Sequence, residues 1–237
     1  MSPAFQRRLP LLSTGAIFVA LFVVAGLLYD GFFSTRVMVN LFTDNAVLGL
    51  TSIGMTLVIF SGGIDLSVGS VVGFTSIFVA TLIERYHVPP ALAALAALAV
   101  GGAFGAGMGA IVHFFRQPSF LITLAGMFLL RGCAFWLNTE SVGITHPLYD
   151  QLAGFVLDLG GGLAFPVVAL VLLGGLAAGG VLGHYTRFGR NLLAIGGSEQ
   201  SALLMGLPIG ATTISVYMVN SLFATLAGLV GTLYTGS

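Results

Sequence analysis

The chain has 237 residues, of which 57% are hydrophobic and only 7% are charged, and its formal net charge at pH 7 is zero. A soluble domain carries about 25% charged residues, so the composition predicts an integral membrane protein and excludes the basic patch that nucleic-acid binding requires. All eight basic residues are arginine, and a chain without lysine cannot form the phosphate-binding loop of a conventional ATPase. Cys133 is the one cysteine, which excludes an internal disulfide.

Apolar stretches that approach the roughly 20 residues needed to cross a bilayer as a helix recur along the whole chain. They are Leu11–Tyr29, Asn45–Phe60, Ser67–Ile83, Pro90–Val112, Ser119–Leu137, Leu163–Leu182 and Thr212–Tyr234. The first is too long for a typical signal-peptide core, which favours an uncleaved span. We therefore predict an all-α polytopic membrane bundle of about seven transmembrane helices, forming one transmembrane domain over residues 1–237.

The arginines predict the orientation of these spans, because cytoplasmic loops carry an excess of basic residues. An N-terminus in the cytoplasm places five of the eight arginines inside. These are Arg7, Arg8, Arg116, Arg187 and Arg190. Arg131 falls in the outer part of its span, where a long side chain can reach the interface. The longest outer stretches are then Tyr29–Thr43 and Asn138–Gly162, the second ending in the glycines Gly160, Gly161 and Gly162, which predict a loop.

Small residues recur every four positions in two of the predicted spans. They are Ala93, Ala97, Gly101, Gly105 and Gly109 in the fourth span and Gly175, Gly179 and Gly183 in the sixth. Such rows let helix backbones approach closely in a membrane. We expect them to pack within the bundle; a subunit interface is the alternative.

The stretch FSGGIDLSVGS, residues 60–70, breaks the helical pattern between the second and third spans. Its candidate site residues are Ser61, Gly62, Gly63, Asp65 and Ser67. A carboxylate within a membrane often marks an ion or proton path, so a self-contained channel or ion-coupled carrier that uses Asp65 is one hypothesis. The predicted topology places this turn at the cytoplasmic side, where Asp65 could cap the following helix or line the exit for a solute. We favour a structural turn near the inner mouth.

The longest inward segment, Gly183–Ala211, predicts a short helix. Ser198 is a good N-cap, Glu199 puts a negative charge in the first turn, and Gly206 with Pro208 ends the helix. We predict a helix over Glu199–Met205, and one so short must lie against the bundle or against another protein.

Two long stretches resemble the hallmark segments of permease subunits of bacterial sugar ATP-binding-cassette importers of the ribose, arabinose and xylose type. They are GMTLVIFSGGIDLSVGSVVGF, residues 54–74, and GRNLLAIGGSEQSALLMGLPI, residues 189–209. Three further stretches, STRVMVNLFTDNAVLG, PSFLITLAGMFLLRG and HPLYD, look most like permeases of the galactofuranose importer. The resemblance runs over nearly the whole chain.

This resemblance implies that the chain forms the path for a monosaccharide, pentose or galactofuranose-like, across the bacterial inner membrane. It implies a separate cytoplasmic ATP-binding subunit, a periplasmic sugar-binding protein and a second permease chain, identical or paralogous, with membrane lipid around them. It also implies that the short inward helix is the coupling element seated on the ATP-binding subunit. The coupling residues would be Gly196, Gly197, Ser198, Glu199, Ala202, Leu203 and Gly206.

Members of that family continue past the point that corresponds to Ser237, so we expect the family's C-terminal spans to be missing from this sequence. No catalytic residue, cofactor or metal ligand is predicted. An intramembrane enzyme is the third hypothesis, but the four histidines fall near predicted membrane edges and no pairing of a nucleophile with a base can be read from their positions.

Overall fold

The computed structural model describes residues 3–160 and 163–236, with side chains from residue 13 onward. Its helices are α1 (Pro3–Leu28), α2 (Thr35–Asp44), α3 (Ala46–Phe60), α4 (Val68–Glu84), α5 (Pro90–Phe115), α6 (Ser119–Leu137), α7 (Pro147–Ala153), α8 (Val167–Gly180), α9 (Arg187–Gly197), α10 (Glu199–Leu204) and α11 (Ile209–Thr235). A π-helical turn, Val181–Tyr185, extends α8. The strands β1 (Val156–Asp158) and β2 (Ala164–Pro166) form one antiparallel hairpin, in which Leu157 is opposite Phe165.

The fold is the predicted all-α polytopic membrane bundle. In the described residues, four helices are long and apolar enough to cross a membrane: α5, α6, α11, and α8 together with its π-helical turn. The helices α2 and α3 meet at a bend of 57° and make a fifth candidate if they form one span. By length and composition the number is therefore four or five, lower than the seven predicted, because α4 and the described part of α1 are shorter apolar helices.

The last helix, α11, is the centre of the bundle and packs against α5, α3 and α4. The small residues of α5 face it: a Cβ at Gly105 would lie 2.6 Å from the Cβ of Ser221, and one at Gly109 would lie 2.8 Å from the Cα of Ile214. In α8, a Cβ at Gly175 would lie 2.5 Å from a methyl group of Leu50 in α3. The prediction that these glycines pack within the bundle is confirmed.

Three helices and several boundaries differ from the sequence prediction: α5 ends at Phe115, not Val112, and α11 begins at Ile209, not Thr212. The helices α2, α7 and α9 lie in segments between the predicted spans, where no helix is predicted from the sequence. The sixth span begins at Val167, not at Leu163, because residues 164–166 pair with β1 and Pro166 provides the N-cap of α8. Gly160 has a φ of 79° and turns the hairpin, whereas Gly161, Gly162 and Ser237, and the side chains of Arg7 and Arg8, lie outside the described residues.

At one end of the bundle the loops are tied to helix ends by hydrogen bonds. The backbone N–H of Thr145 donates to the Glu84 carboxylate (2.6 Å) and its hydroxyl donates to the second oxygen (3.0 Å). The Tyr149 hydroxyl lies 3.3 Å from Oγ1 of Thr232, and burial raises the pKa of this phenol. The turn between α3 and α4, the loop between α5 and α6, and the segment α9–α10 meet at the other end.

Candidate functional site

The turn after α3 begins with a glycine-terminated helix end. Gly62 adopts a φ of 77°, its N–H donates to the Ile59 carbonyl (2.9 Å), and the N–H of Gly63 donates to the Val58 carbonyl (3.0 Å). This pair of bonds is the Schellman motif, in which a residue with positive φ lets the chain reverse and satisfies the last helical carbonyls. The glycine pair therefore ends α3 at Phe60 and turns the chain back toward the bundle.

Asp65 accepts three hydrogen bonds within the fold, although it is only 6% exposed. Its Oδ1 accepts from the backbone N–H of Ser67 (2.8 Å) and from the Ser67 hydroxyl (2.6 Å). Its Oδ2 accepts from the side-chain amide of Asn220 in α11 (2.7 Å). Ser67, not Asp65, is the N-cap of α4, so the carboxylate orders the turn two residues before the N-cap.

Two hydroxyl groups near the beginning of α6 hold the backbone of the same turn. The N–H of Ile64 donates to Oγ of Ser119 (3.2 Å), and the N–H of Leu66 donates to Oγ1 of Thr123 (3.1 Å). Thr123 is completely buried. These bonds satisfy backbone groups that a broken helix would otherwise leave without partners, and they place the start of α4 level with Thr123, one helical turn into α6.

The second predicted segment folds as two consecutive helices, α9 and α10. The Ser198 side chain accepts from the N–H of Ser201 (3.2 Å) and caps α10. Gly206, with a φ of 74°, ends the helix. Its N–H donates to the Leu203 carbonyl (2.9 Å), and the N–H of Leu207 donates to the Ala202 carbonyl (3.1 Å). The predicted helix with its Ser198 cap and Gly206 end is confirmed, one residue shorter than expected.

The two faces of α10 differ in burial. Ala202 is completely buried in a small apolar cluster with Ile195 and Ile209. On the other side, Leu203 is 64%, Leu204 83% and Met205 66% exposed. Glu199, in the first turn, is exposed as well. The helix is thus anchored by one small side chain and presents an apolar surface that the described residues leave uncovered.

The two predicted segments touch each other through glycine. A Cβ added at Gly196 would collide with the Phe60 carbonyl oxygen and would lie 3.1 Å from the backbone nitrogen of Gly62. Only glycine fits at such a backbone-to-backbone approach. Gly197, in contrast, has nothing within 4 Å of the same position. The end of α9 is therefore fixed against the end of α3.

A cavity of about 640 Å³ opens where these segments meet. The part of its lining that comes from the predicted residues is Ser61, Gly62, Gly63, Glu199 and Leu203; the rest includes Val112, His113, Arg116, Gln117, Ser119, Ile195, Gln200, Ile209, Thr213 and Tyr217. The charged side chains in this lining, those of Arg116 and Glu199, have opposite signs. We call this space the inner cavity.

The structure brings together only part of what the sequence singled out. Asp65 and Ser67 are buried and do not line the inner cavity. Gly196, Gly197, Ser198, Ala202 and Gly206 shape α9 and α10 and do not line it either. Asn220 was missed, because an asparagine inside a long apolar helix gives no sign of its partner. His113 was noted only as lying near a membrane edge. Among the described residues, no group of three or more His, Cys, Asp or Glu side chains could hold a metal ion.

Residues 37–237 match a protein family described as the permease component of branched-chain amino acid transport systems. The inner membrane ABC transporter permease protein YjfF of Escherichia coli is 46% identical over 230 residues, which are 97% of this chain and 70% of that protein. The fructose import permease protein FruG of Bifidobacterium longum is 33% identical over 240 residues, 98% of this chain and 70% of that protein.

The ribose import permease protein RbsC of Escherichia coli is 33% identical over 213 residues, which are 90% of this chain and 66% of that protein. No solved structure matches the chain. The matches cover both the turn between α3 and α4 and the segment α9–α10.

Proposed function

Because the chain belongs to the family of transport-system permease components just described, we propose that it forms the path for a monosaccharide in an ATP-binding-cassette importer of the inner membrane. The similarity to fructose and ribose import permeases over at least 90% of the chain carries this proposal. Permease subunits of this family are multi-pass membrane proteins that work with ATP-binding and substrate-binding partners. They are not themselves enzymes.

Two classes of solute are indicated by the comparisons. The family description names branched-chain amino acids, whereas the relatives with a named substrate import sugars. We propose a sugar, because fructose, ribose and L-arabinose appear in the names of relatives that are 32–33% identical. The resemblance of three stretches to galactofuranose permeases adds that sugar as a candidate.

We propose that α10 couples the chain to its ATP-binding subunit. The three exposed apolar residues Leu203, Leu204 and Met205 support this role, because together they form a compact patch at a helix too short to be stable alone. The close approach of Gly196 to Phe60 provides a route for a push on α10 to reach the turn after α3. Displacement of α10 would then move the wall of the inner cavity.

We further propose that the end with the inner cavity faces the cytoplasm, with the N-terminus on the same side. Arg116, Arg187 and Arg190 belong to this end, and basic residues favour the cytoplasmic side. The ATP-binding subunit can then reach α10, and the periplasmic sugar-binding protein meets the opposite end, where Glu84 holds the loop at Thr145. A second permease chain, identical or paralogous, would complete the path.

No observation favours the alternative of an ion-coupled carrier based on Asp65. Both oxygens of this carboxylate accept hydrogen bonds from Ser67 and Asn220, which accounts for its burial as part of the fold. The carboxylate is therefore used to hold the turn.

Co-purification with the ATP-binding subunit tests the coupling proposal. In the double variant Glu199→Ala, Leu203→Ser, the affinity for the ATP-binding subunit should fall by about tenfold or more. Burying one leucine stabilises a contact by roughly 1.5–3 kcal/mol, and each 1.4 kcal/mol is tenfold in affinity. Leu95→Ser is the matched control, since Leu95 is 62% exposed. It lies on α5, not on α10, and it does not line the inner cavity. Equal recovery of the subunit with the double variant and the control would contradict the proposal.

A further inference from the structure

A second cavity, of about 620 Å³, lies between α4 and α6 on the far side of the turn from the inner cavity. We call it the outer cavity. Its polar lining is Ser70, Arg131, Asn138, Thr139, Glu140 and Ser141. These six hydrogen-bonding side chains lie outside α10, and none of them lines the inner cavity.

Arg131 is the most informative of these side chains. It lies within α6, between the exposed apolar residues Leu129 and Phe135, and it lines the outer cavity. Ionisable residues inside a membrane span line water-filled paths or bind partners far more often than they face lipid. Because a guanidinium offers five N–H donors, this position suits an oxygen-rich ligand.

The remaining lining combines aromatic rings, four aliphatic or sulfur-containing side chains (Leu66, Ile77, Met127 and Ala134) and two glycines. Phe74 and Phe135 line the cavity, and Phe74 stacks on Phe78 with ring centroids 5.4 Å apart, which fixes its orientation. Gly69 and Gly73 also line it, and a Cβ at either would meet nothing within 4 Å. These glycines keep space open, in contrast to those of α5 that are needed for close packing.

We propose that the outer cavity is a monosaccharide subsite of the transport path. A sugar presents hydroxyl groups around its ring and apolar C–H groups on its faces, so donors such as Arg131 and acceptors such as Glu140 would bind the former while Phe74 or Phe135 packs against the latter. This inference rests on the proposed function and names where the sugar is held.

The position of the cavity fits a path. Its lining from α6 and the loop after it runs from Met127 to Ser141, and that from α4 from Leu66 to Ile77. Ser61–Gly63 line the inner cavity and Leu66 lines the outer one, so the turn that Asp65 holds separates the two. A sugar leaving the outer cavity toward the cytoplasm would pass this turn.

Cysteine accessibility in the assembled transporter tests the subsite. Cys133 is first replaced by serine, and Gly73→Cys is compared with Gly107→Cys, a matched glycine of α5 that also has nothing within 4 Å and does not line the cavity. A membrane-impermeant, positively charged methanethiosulfonate is added from outside, without sugar and with D-ribose, D-fructose, L-arabinose or D-galactose. Uptake of the same labelled sugars is measured in the same cells carrying the Cys133→Ser chain.

We expect the reagent to label the Gly73→Cys variant and not the Gly107→Cys variant. A transported sugar should slow the labelling by the factor 1 + [L]/Kd, about tenfold at a sugar concentration ten times Kd. Absence of labelling at position 73, or labelling that a transported sugar does not slow, would contradict the subsite. Sugar uptake in the same cells would still support the proposed function. Uptake of none of the four sugars, with uptake of labelled leucine instead, overturns the proposed sugar function and the subsite with it.

Discussion

The side-chain amide of Asn220 donates a 2.7 Å hydrogen bond to Oδ2 of Asp65, although the two residues are 155 positions apart in the chain. The bond connects the turn between α3 and α4 to α11, the helix at the centre of the bundle. Asn220 is completely buried, and its own carbonyl oxygen Oδ1 has no partner in the described residues. The Asp65 carboxylate is thus hydrogen-bonded to Ser67 within the turn and to Asn220 of α11.

Removing the carboxylate should destabilise the protein more than removing its charge. Asp65→Ala leaves the Ser67 backbone N–H, the Ser67 hydroxyl and the Asn220 amide without an acceptor, and each unsatisfied buried group costs about 1–3 kcal/mol. Asp65→Asn keeps one carbonyl oxygen in the turn and should retain most of the stability. The thermal midpoint of the detergent-solubilised chain, followed by size-exclusion chromatography, distinguishes the variants. An unchanged midpoint in Asp65→Ala would contradict the structural role of this carboxylate.

Exchanging the two side chains should restore what a single change removes. Asn220→Asp places a second carboxylate at hydrogen-bond distance from Asp65, where two like charges in a buried site repel each other. The double variant Asp65→Asn, Asn220→Asp again pairs one amide with one carboxylate. We expect the single variant Asn220→Asp to assemble poorly and the double variant to recover. The coupling energy from the double-mutant cycle measures the interaction, and a value near zero would show that the two residues act independently.

The contact between Gly196 and Phe60 should be intolerant of a single methyl group. Gly196→Ala drives a Cβ into the Phe60 carbonyl oxygen, and overpacking of this kind typically costs about 1–3 kcal/mol. Gly197→Ala, one residue later, meets nothing within 4 Å and serves as the control. We expect Gly196→Ala to reduce transport and stability, while Gly197→Ala leaves stability unchanged. Normal transport by Gly196→Ala would contradict the proposal that displacement of α10 reaches the turn through this contact.

The α5–α11 contact makes a similar prediction for the core of the bundle. A Cβ at Gly105 would lie 2.6 Å from the Cβ of Ser221 and 3.0 Å from the Cα of Met218. Since backbone atoms cannot move aside as a flexible side chain does, Gly105→Ala should separate the helices and lower the thermal midpoint. Gly107→Ala meets no neighbour and should raise helix stability by up to about 1 kcal/mol. Similar midpoints in the two variants would contradict the close packing.

Local signals in the sequence were enough to predict some elements accurately. The helix α6 has the predicted bounds, and α10 follows from the Ser198 cap and the Gly206 end, because these residues act on the backbone within a few positions. The helices α2 and α9 were missed because they are short and lie among loop residues. Their N-caps, Ser34 and Thr186, were the signals available.

The arrangement of the site depended on contacts that the sequence does not reveal. The sequence favours a structural turn at Asp65 over an ion site, but it does not identify Asn220 as the partner of the carboxylate. The joining of the turn to the segment α9–α10 at one cavity likewise depends on Gly196 meeting Phe60. Such long-range pairs follow from how the helices pack, not from local preference.

Sugar uptake into proteoliposomes tests the central claim most directly. The chain is reconstituted with its ATP-binding subunit and its second permease chain, with the sugar-binding protein and labelled ribose, fructose or L-arabinose outside and ATP inside. We predict uptake that requires the enclosed ATP and is unaffected by a protonophore. Uptake that proceeds without ATP and is abolished by the protonophore would contradict the account and point to an ion-coupled carrier.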